Sequence, residues 1–193
     1  MTLVDRAIFR AINGGPPWMA PLMRMLSTGL NKGPMKIALI VILLVMLAAG
    51  KTTRRAAALA LIAFPIANGI TDLIKHFFPA TRPSNDPMIV VMLRIGTTEN
   101  AGTASAHAAN MAAVATIFIG TLGWFGVPWA ILAFLVGYSR IYNGVHYPYQ
   151  VGLGWLVGIV VGLVVLFVAK RVERWWIARK GKTEVIDGTP NPA

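Results

Sequence analysis

The run NAGTASAHAANMAAVATIFIGTLGWFGVPWAILAFLVGYS, residues 100–139, holds only two titratable side chains, His107 and Tyr138. A helix that crosses ~30 Å of hydrocarbon at ~1.5 Å per residue needs about 20 largely apolar residues. The run is too long for one crossing and long enough for two. Its middle, Gly120-Thr-Leu-Gly-Trp-Phe-Gly-Val-Pro128, is rich in residues that interrupt helices. The chain is expected to fold back there.

Three more apolar stretches flank this pair. Residues 34–50 open on Pro34, which suits a helix start. Residues 56–77 are interrupted only near their end, by Asp72 and Lys75, and residues 148–169 form the last stretch. The 193-residue chain is 56% hydrophobic and only 13% charged, against roughly 25% charged in soluble domains. Its mean hydropathy is +0.64. Despite a net charge of +11, that balance excludes a disordered basic tail or a nucleic-acid module, which need many exposed polar residues. With no cysteine, disulfides and thiolate metal sites are excluded. The expected fold is all-α, a polytopic membrane helical bundle of about five transmembrane helices. One domain, residues 1–180, would comprise an interfacial segment (1–33) and a transmembrane core (34–169), followed by a disordered tail (181–193).

Lys51, Arg54 and Arg55 lie between the first two stretches, and Lys170, Arg171, Arg174, Arg179, Lys180 and Lys182 follow the fifth. Five crossings put both sets on one side, which the positive-inside bias makes cytoplasmic. Residues 3–30, broken by Arg24, read as amphipathic and interfacial rather than spanning, and lack the continuous apolar core of a signal peptide. Trp124, Trp129, Trp175 and Trp176 fall where interfacial aromatics belong. Gly154, Gly158 and Gly162 recur every four residues, a spacing that lets helices approach closely, within the bundle or in a homodimer seam.

The same topology gathers polar residues at the outer helix ends. Lys75, His76 and Arg82 follow the second stretch, Ser105 and His107 open the third, and Ser139, Arg140 and His146 lie between the fourth and fifth. Ionisable groups at membrane depth are costly and mark function. Lys75, Arg82 and Arg140 suit a phosphate carrying ~−1.5 to −2 charges, and helix starts at Ser105 and Pro148 would aim free N–H groups at the same anion. One histidine could attack phosphorus while the other protonates the leaving oxygen. No metal site is expected, because no His pair has ligand spacing and the carboxylates are scattered.

Three motifs carry a family resemblance. Lys75-His-Phe-Phe-Pro-Ala-Thr-Arg82-Pro83 matches the first signature of the type 2 phosphatidic acid phosphatase superfamily. Ala104-Ser105-Ala106-His107 resembles its second, Pro-Ser-Gly-His, and Ser139-Arg140-Ile-Tyr-Asn-Gly-Val-His146-Tyr-Pro-Tyr-Gln150 resembles its third. The resemblance covers about residues 56–165. It implies that His146 is a nucleophile forming a phosphohistidine and that His107 is the general acid. It also implies that Lys75, Arg82, Ser105, Arg140 and the backbone N–H near Ala106 hold the phosphoryl oxygens, without a metal or other cofactor. Gln150 stands where the family usually has Asp, and its carbonyl could still accept the Nδ1–H of His146. The implied partners are a phosphorylated membrane lipid and the phospholipid bilayer, with no nucleic acid. The implied location is a bacterial inner membrane, multi-pass, with the site facing the periplasm. A polyprenyl (di)phosphate is the first expectation for the lipid, then phosphatidylglycerol phosphate or a phosphorylated glycolipid. A phosphotransferase, or a lipid-binding scaffold with a degraded site, are the alternatives.

Bland roles are expected for other residues. His76, Tyr142, Tyr147 and Tyr149 would pack at the interface, Arg94 and Glu99 would be solvated loop charges, and Asn68 and Asn110 would bond between helices.

Overall fold

The computed structural model describes residues 2–28, 33–96 and 101–187. Its helices are α1 (Leu3–Asn13), α2 (Ala20–Thr28), α3 (Gly33–Ala48), α4 (Lys51–Phe77), α5 (Ala106–Leu122), α6 (Val127–Tyr142) and α7 (Pro148–Asp187), with no strand among the described residues. Three helical runs are long and apolar enough to cross a membrane: Lys51–Phe77, Ala106–Tyr142 and Pro148–Arg179. The middle run is the decisive sequence stretch, and it folds back as expected. At Gly123 φ is +60°, a left-handed conformation that glycine adopts without the penalty a Cβ would bring. The turn then lies so close to α5 that a Cβ on Gly126 would stand 2.4 Å from the Ile119 nitrogen. Phe118 of α5 meets Trp129 of α6 edge-on at 4.8 Å. Together with the shorter apolar α3, packed on α4, this makes the five-helix bundle expected.

Local chemistry sets the helix ends that matter. The Ser105 hydroxyl caps α5 by accepting from the Ala108 N–H (3.4 Å). Pro148 opens α7, where its missing N–H costs nothing. Lys75 and His76 close α4, the end where cations complement the helix dipole.

Small residues pack the core. Ala56, Ala60, Ala63 and Ala67 of α4 lie against Ala109, Ala113 and Ile117 of α5 and Val161 and Val165 of α7. The glycine stripe of α7 is used here. A Cβ on Gly154, Gly158 or Gly162 would stand 2.5 Å from Ser105 O, 2.1 Å from Ala109 O and 3.1 Å from Ala113 O respectively. The constant sequence offset makes α5 and α7 parallel, and the stripe is buried inside the bundle rather than offered to a second copy. Asn110 of α5 donates to Asn68 Oδ1 of α4 (3.3 Å), the interhelical bond expected of this pair.

α1 packs at the bundle end where α4 finishes and α5 and α7 begin, and the buried face of α2 joins a cluster with Met111 and Ala115 of α5 and Ala133 and Val136 of α6. Phe9 is buried against Tyr147, edge-on at 5.2 Å, while Leu3, Val4 and Trp18 stay exposed. This is the two-sided character expected of an interfacial segment. α7 continues to Asp187, through the first positions of the segment expected to be a tail; residues 188–193 lie outside the described residues, as does Glu99.

Candidate active site

Every site residue expected from the sequence lies at one end of the bundle. Arg82 follows α4 and is 8% exposed; Ser105, Arg140, His146 and Gln150 are buried too. Ala106 and His107 begin α5 and are half-buried. Their amides have no carbonyl four residues back in the helix to bond to, so the α5 terminus presents donors to the site.

Hydrogen bonding fixes the ionisation and tautomer of His146. Gln150 Nε2 donates to Thr81 O (2.9 Å) and to Tyr149 Oη (3.1 Å), while the Tyr147 N–H donates to Gln150 Oε1 (3.1 Å). The amide is thereby oriented, with its oxygen 3.1 Å from His146 Nδ1. That oxygen can only accept, so Nδ1 carries the proton. On the other side of the ring, Arg82 Nη1 lies 3.1 Å from Nε2. A guanidinium can only donate, so Nε2 presents a lone pair. Burial, followed by the charges of Arg140 and Arg82, holds the His146 imidazole well below its usual range. It is neutral at pH 7, with its basic nitrogen aimed at a cation.

Of the three cations, Arg82 touches this nitrogen, and Arg140 and Lys75 belong to the same end of the bundle. Arg82 also donates to Val145 O (3.2 Å) and Ala101 O (3.3 Å), and burial works against its charge. Arg140 Nη1 donates to the carbonyl (3.0 Å) and hydroxyl (2.7 Å) of Ser27. Among the described residues its Nε is buried without a partner, a donor still to be satisfied. Lys75 Nζ is 2.8 Å from Asp72 Oδ1, whose second oxygen accepts from Asn68 Nδ2 (3.0 Å). His107 lies within electrostatic reach of Arg140, Lys75 and Arg82, and acts in turn on His146. A neutral nucleophilic nitrogen, a second imidazole, three cations and a helix N-terminus can together bind a phosphoryl group and transfer it.

Several expectations need correction. Tyr142 and Tyr147 are not interfacial but 0% and 2% exposed, because each has a polar tip with an internal partner. The Tyr142 hydroxyl donates to Pro16 O (2.8 Å) and that of Tyr147 to Asp86 (2.7 Å). The bond to Tyr147 holds the Asp86 carboxyl below its usual range, while burial and that same bond push the Tyr147 hydroxyl up. Arg94 is not a solvated loop charge: it donates to Tyr142 O (2.6 Å) and stacks over the Tyr142 ring at 4.1 Å. Ser139 bonds its own helix at Val136 O (2.7 Å) and not the site. His76 packs edge-on against Phe77.

Other residues escaped the sequence reading. Ser27 holds Arg140 from 113 residues away. Asn13 donates to Met92 O and Tyr142 O (both 2.9 Å), tying α1 to the loop before α5 and to the end of α6. Gly102 leaves room for the site: a Cβ there would stand 2.6 Å from Arg82 Cγ and 3.0 Å from both polar atoms of Gln150. A glycine three positions before Ser105 is the sole sequence trace of that role.

The PAP2 superfamily model matches residues 41–174. Over 51 residues the chain is 45% identical to the bacitracin transport permease protein BcrC of Bacillus licheniformis, 26% of this chain and 24% of that protein. Over 109 residues it is 33% identical to an undecaprenyl-diphosphatase of Sulfolobus acidocaldarius, 56% of this chain and 52% of that one. The chain thus spans about a quarter and about half of the lengths of these two relatives. In fold it is similar to Aquifex aeolicus LpxE, with a TM-score of 0.71 at 24% identity, covering 86% of this chain and 96% of that one. The first transmembrane PAP2 type phosphatidylglycerolphosphate phosphatase from Bacillus subtilis gives a TM-score of 0.65 at 24% identity, covering 88% and 86%. Because the family match takes in all of α4 to α6, most of α7, and every expected site residue from Lys75 to Gln150, the chain belongs to the PAP2 superfamily.

Proposed function

We propose that the protein is a membrane lipid phosphate phosphatase that works through a phosphohistidine on His146. One observation carries this reading: a buried, neutral imidazole with Nδ1–H anchored on Gln150 and a bare Nε2 facing Arg82. In the first step Nε2 attacks phosphorus, the bond from phosphorus to the lipid oxygen breaks, and His107 gives that oxygen a proton. In the second, water attacks the phosphohistidine, His107 takes the proton back, and phosphate leaves with His146 regenerated. Lys75, Arg82, Arg140, the Ser105 hydroxyl and the amide at Ala106 bear the charge that spreads over the equatorial oxygens. Arg82 gives up its bond to Nε2 as the phosphoryl group takes its place. Three fixed cations supply the charge that a metal supplies elsewhere.

A polyprenyl diphosphate is the first substrate to test, supported by the undecaprenyl-diphosphatase among the relatives; phosphatidylglycerol phosphate is next. The site faces the outside of a bacterial inner membrane in this reading. The test is phosphate release by protein in neutral detergent from a panel holding both lipids, with His146→Ala alongside. We expect release that survives EDTA, is blocked by vanadate and is abolished in His146→Ala. A silent panel from folded protein would favour a scaffold, and loss on chelation reversed by Mg²⁺ would overturn the metal-free mechanism.

A further inference from the structure

At the bundle end far from His146, the start of α4, the last turn of α5 and the lower part of α7 enclose a pocket of about 410 Å³. Lys51, Arg55 and Lys170 line it beside the hydroxyl-bearing Thr52 and Thr121, with Glu173 as the lining carboxylate. Glu173 is matched to Arg55 by two contacts, of 2.9 and 3.2 Å. Among the described residues neither Lys51 nor Lys170 has an ion-pair partner. The pocket therefore carries two uncompensated positive charges.

A second feature begins at the same ion pair. A groove of about 580 Å³ runs between α4 and α7, with Arg55 and Glu173 at its mouth. Its walls are Leu59, Ile62 and Ile66 on one side and Val164, Val165 and Val168 on the other. The pocket sits where the apolar run of α4 begins and that of α7 ends, with Trp175 and Trp176 a turn beyond Lys170. Aromatic residues favour that depth, the headgroup level.

A free anion would use the pocket and leave the groove. A zwitterionic lipid or an apolar helix would use the groove and leave both lysines unmatched. We propose that this end binds an anionic phospholipid, with its phosphate between Lys51 and Lys170 and one acyl chain along the α4–α7 groove. The ligand is a phosphodiester, and it lies at the end opposite the catalytic groups. Each basic side chain at a membrane surface contributes about fivefold in affinity.

The test uses purified full-length protein in neutral detergent, titrated with phosphatidylglycerol, phosphatidylcholine or inorganic phosphate and read by lipid retention in native mass spectrometry. We expect phosphatidylglycerol to be retained in preference to phosphatidylcholine, with inorganic phosphate unable to displace it. Lys51→Gln/Lys170→Gln should lose roughly 30-fold in affinity with basal phosphatase activity unchanged. Ile62→Trp, at an exposed position, should block retention by filling the groove while both lysines remain. Equal retention of the two lipids, displacement by phosphate, or undiminished binding in either variant overturns the proposal.

Discussion

His146 lies between an acceptor on Nδ1 and a donor on Nε2, and each contact predicts something different. Gln150 supplies orientation but no negative charge, so Gln150→Ala should slow turnover by roughly 10- to 10²-fold, short of the ~10⁴ lost when the carboxylate of a Ser-His-Asp triad is replaced. Turnover assays on folded variant check this, and wild-type rates would mean that another group orients the ring. The ionisation state is testable by ¹⁵N NMR of histidine-labelled protein. At pH 6.5 an ordinary imidazole is about half protonated; His146, with its folded value depressed, should stay neutral with the proton on Nδ1 and charge only as the pH falls well below that. Gly102→Ala tests the space around Arg82 and Gln150. The added Cβ forces both to shift, and misplacement on the order of 1 Å costs about 10² in rate, so kcat/KM should fall by that order while the melting temperature holds. The groups proposed to touch phosphate were legible because each lies in a short motif. Ser27 and Gly102 were not, since one acts through a bond spanning 113 residues and the other through the absence of a side chain.

The helices themselves were readable from apolar run length and glycine punctuation, including the reversal between α5 and α6. Which faces meet was only half readable. The four-residue spacing in α7 announced a close contact, but α5 as its partner emerges from the fold, where successive contacts keep a constant offset. The contact has an internal control. A Cβ on Gly158 would stand 2.1 Å from the Ala109 carbonyl, whereas one on Gly152 of the same helix meets nothing within 4 Å. Gly158→Ala must push α5 and α7 apart, and overpacking of this kind costs about 1–3 kcal/mol. Gly152→Ala should leave thermal stability in detergent unchanged. The displaced variant should also lose activity, because Ser105 N–H donates to Gln150 O (2.9 Å) across this same helix pair. Equal melting curves for the two variants would show that the α5–α7 contact is looser than its geometry. The bracing by α1 and α2 had no sequence signal, because an amphipathic segment fixes which face is buried and not what it is buried against.

At the scale of the whole molecule, charge is distributed so that one end is strongly basic and the other mixed. Lys51, Arg54, Arg55, Lys170, Arg171, Arg174 and Arg179 crowd the far end, where Glu173 pairs with Arg55. At the site end Arg6, Lys75, Arg82, Arg94 and Arg140 are interleaved with Asp5, Asp72 and Asp86, and several are engaged by the fold: Lys75 by Asp72, Arg140 by Ser27 and Arg94 by Tyr142. The far-end cations stand directly at the ends of apolar runs, the position that sets orientation during insertion. The far end should therefore be cytoplasmic and the site should open outward, with α1 and α2 on the outer surface despite their arginines. The chain has no cysteine, so single cysteines report cleanly. Asn85→Cys lies on the exposed turn after Arg82, and Ala178→Cys on the exposed part of α7. An impermeant maleimide added to intact cells with a permeabilised outer envelope should label Asn85→Cys and spare Ala178→Cys, and inverted vesicles should reverse the pattern. The opposite result would place the His146 end in the cytoplasm and the basic far end outside, against the insertion bias of its own charges.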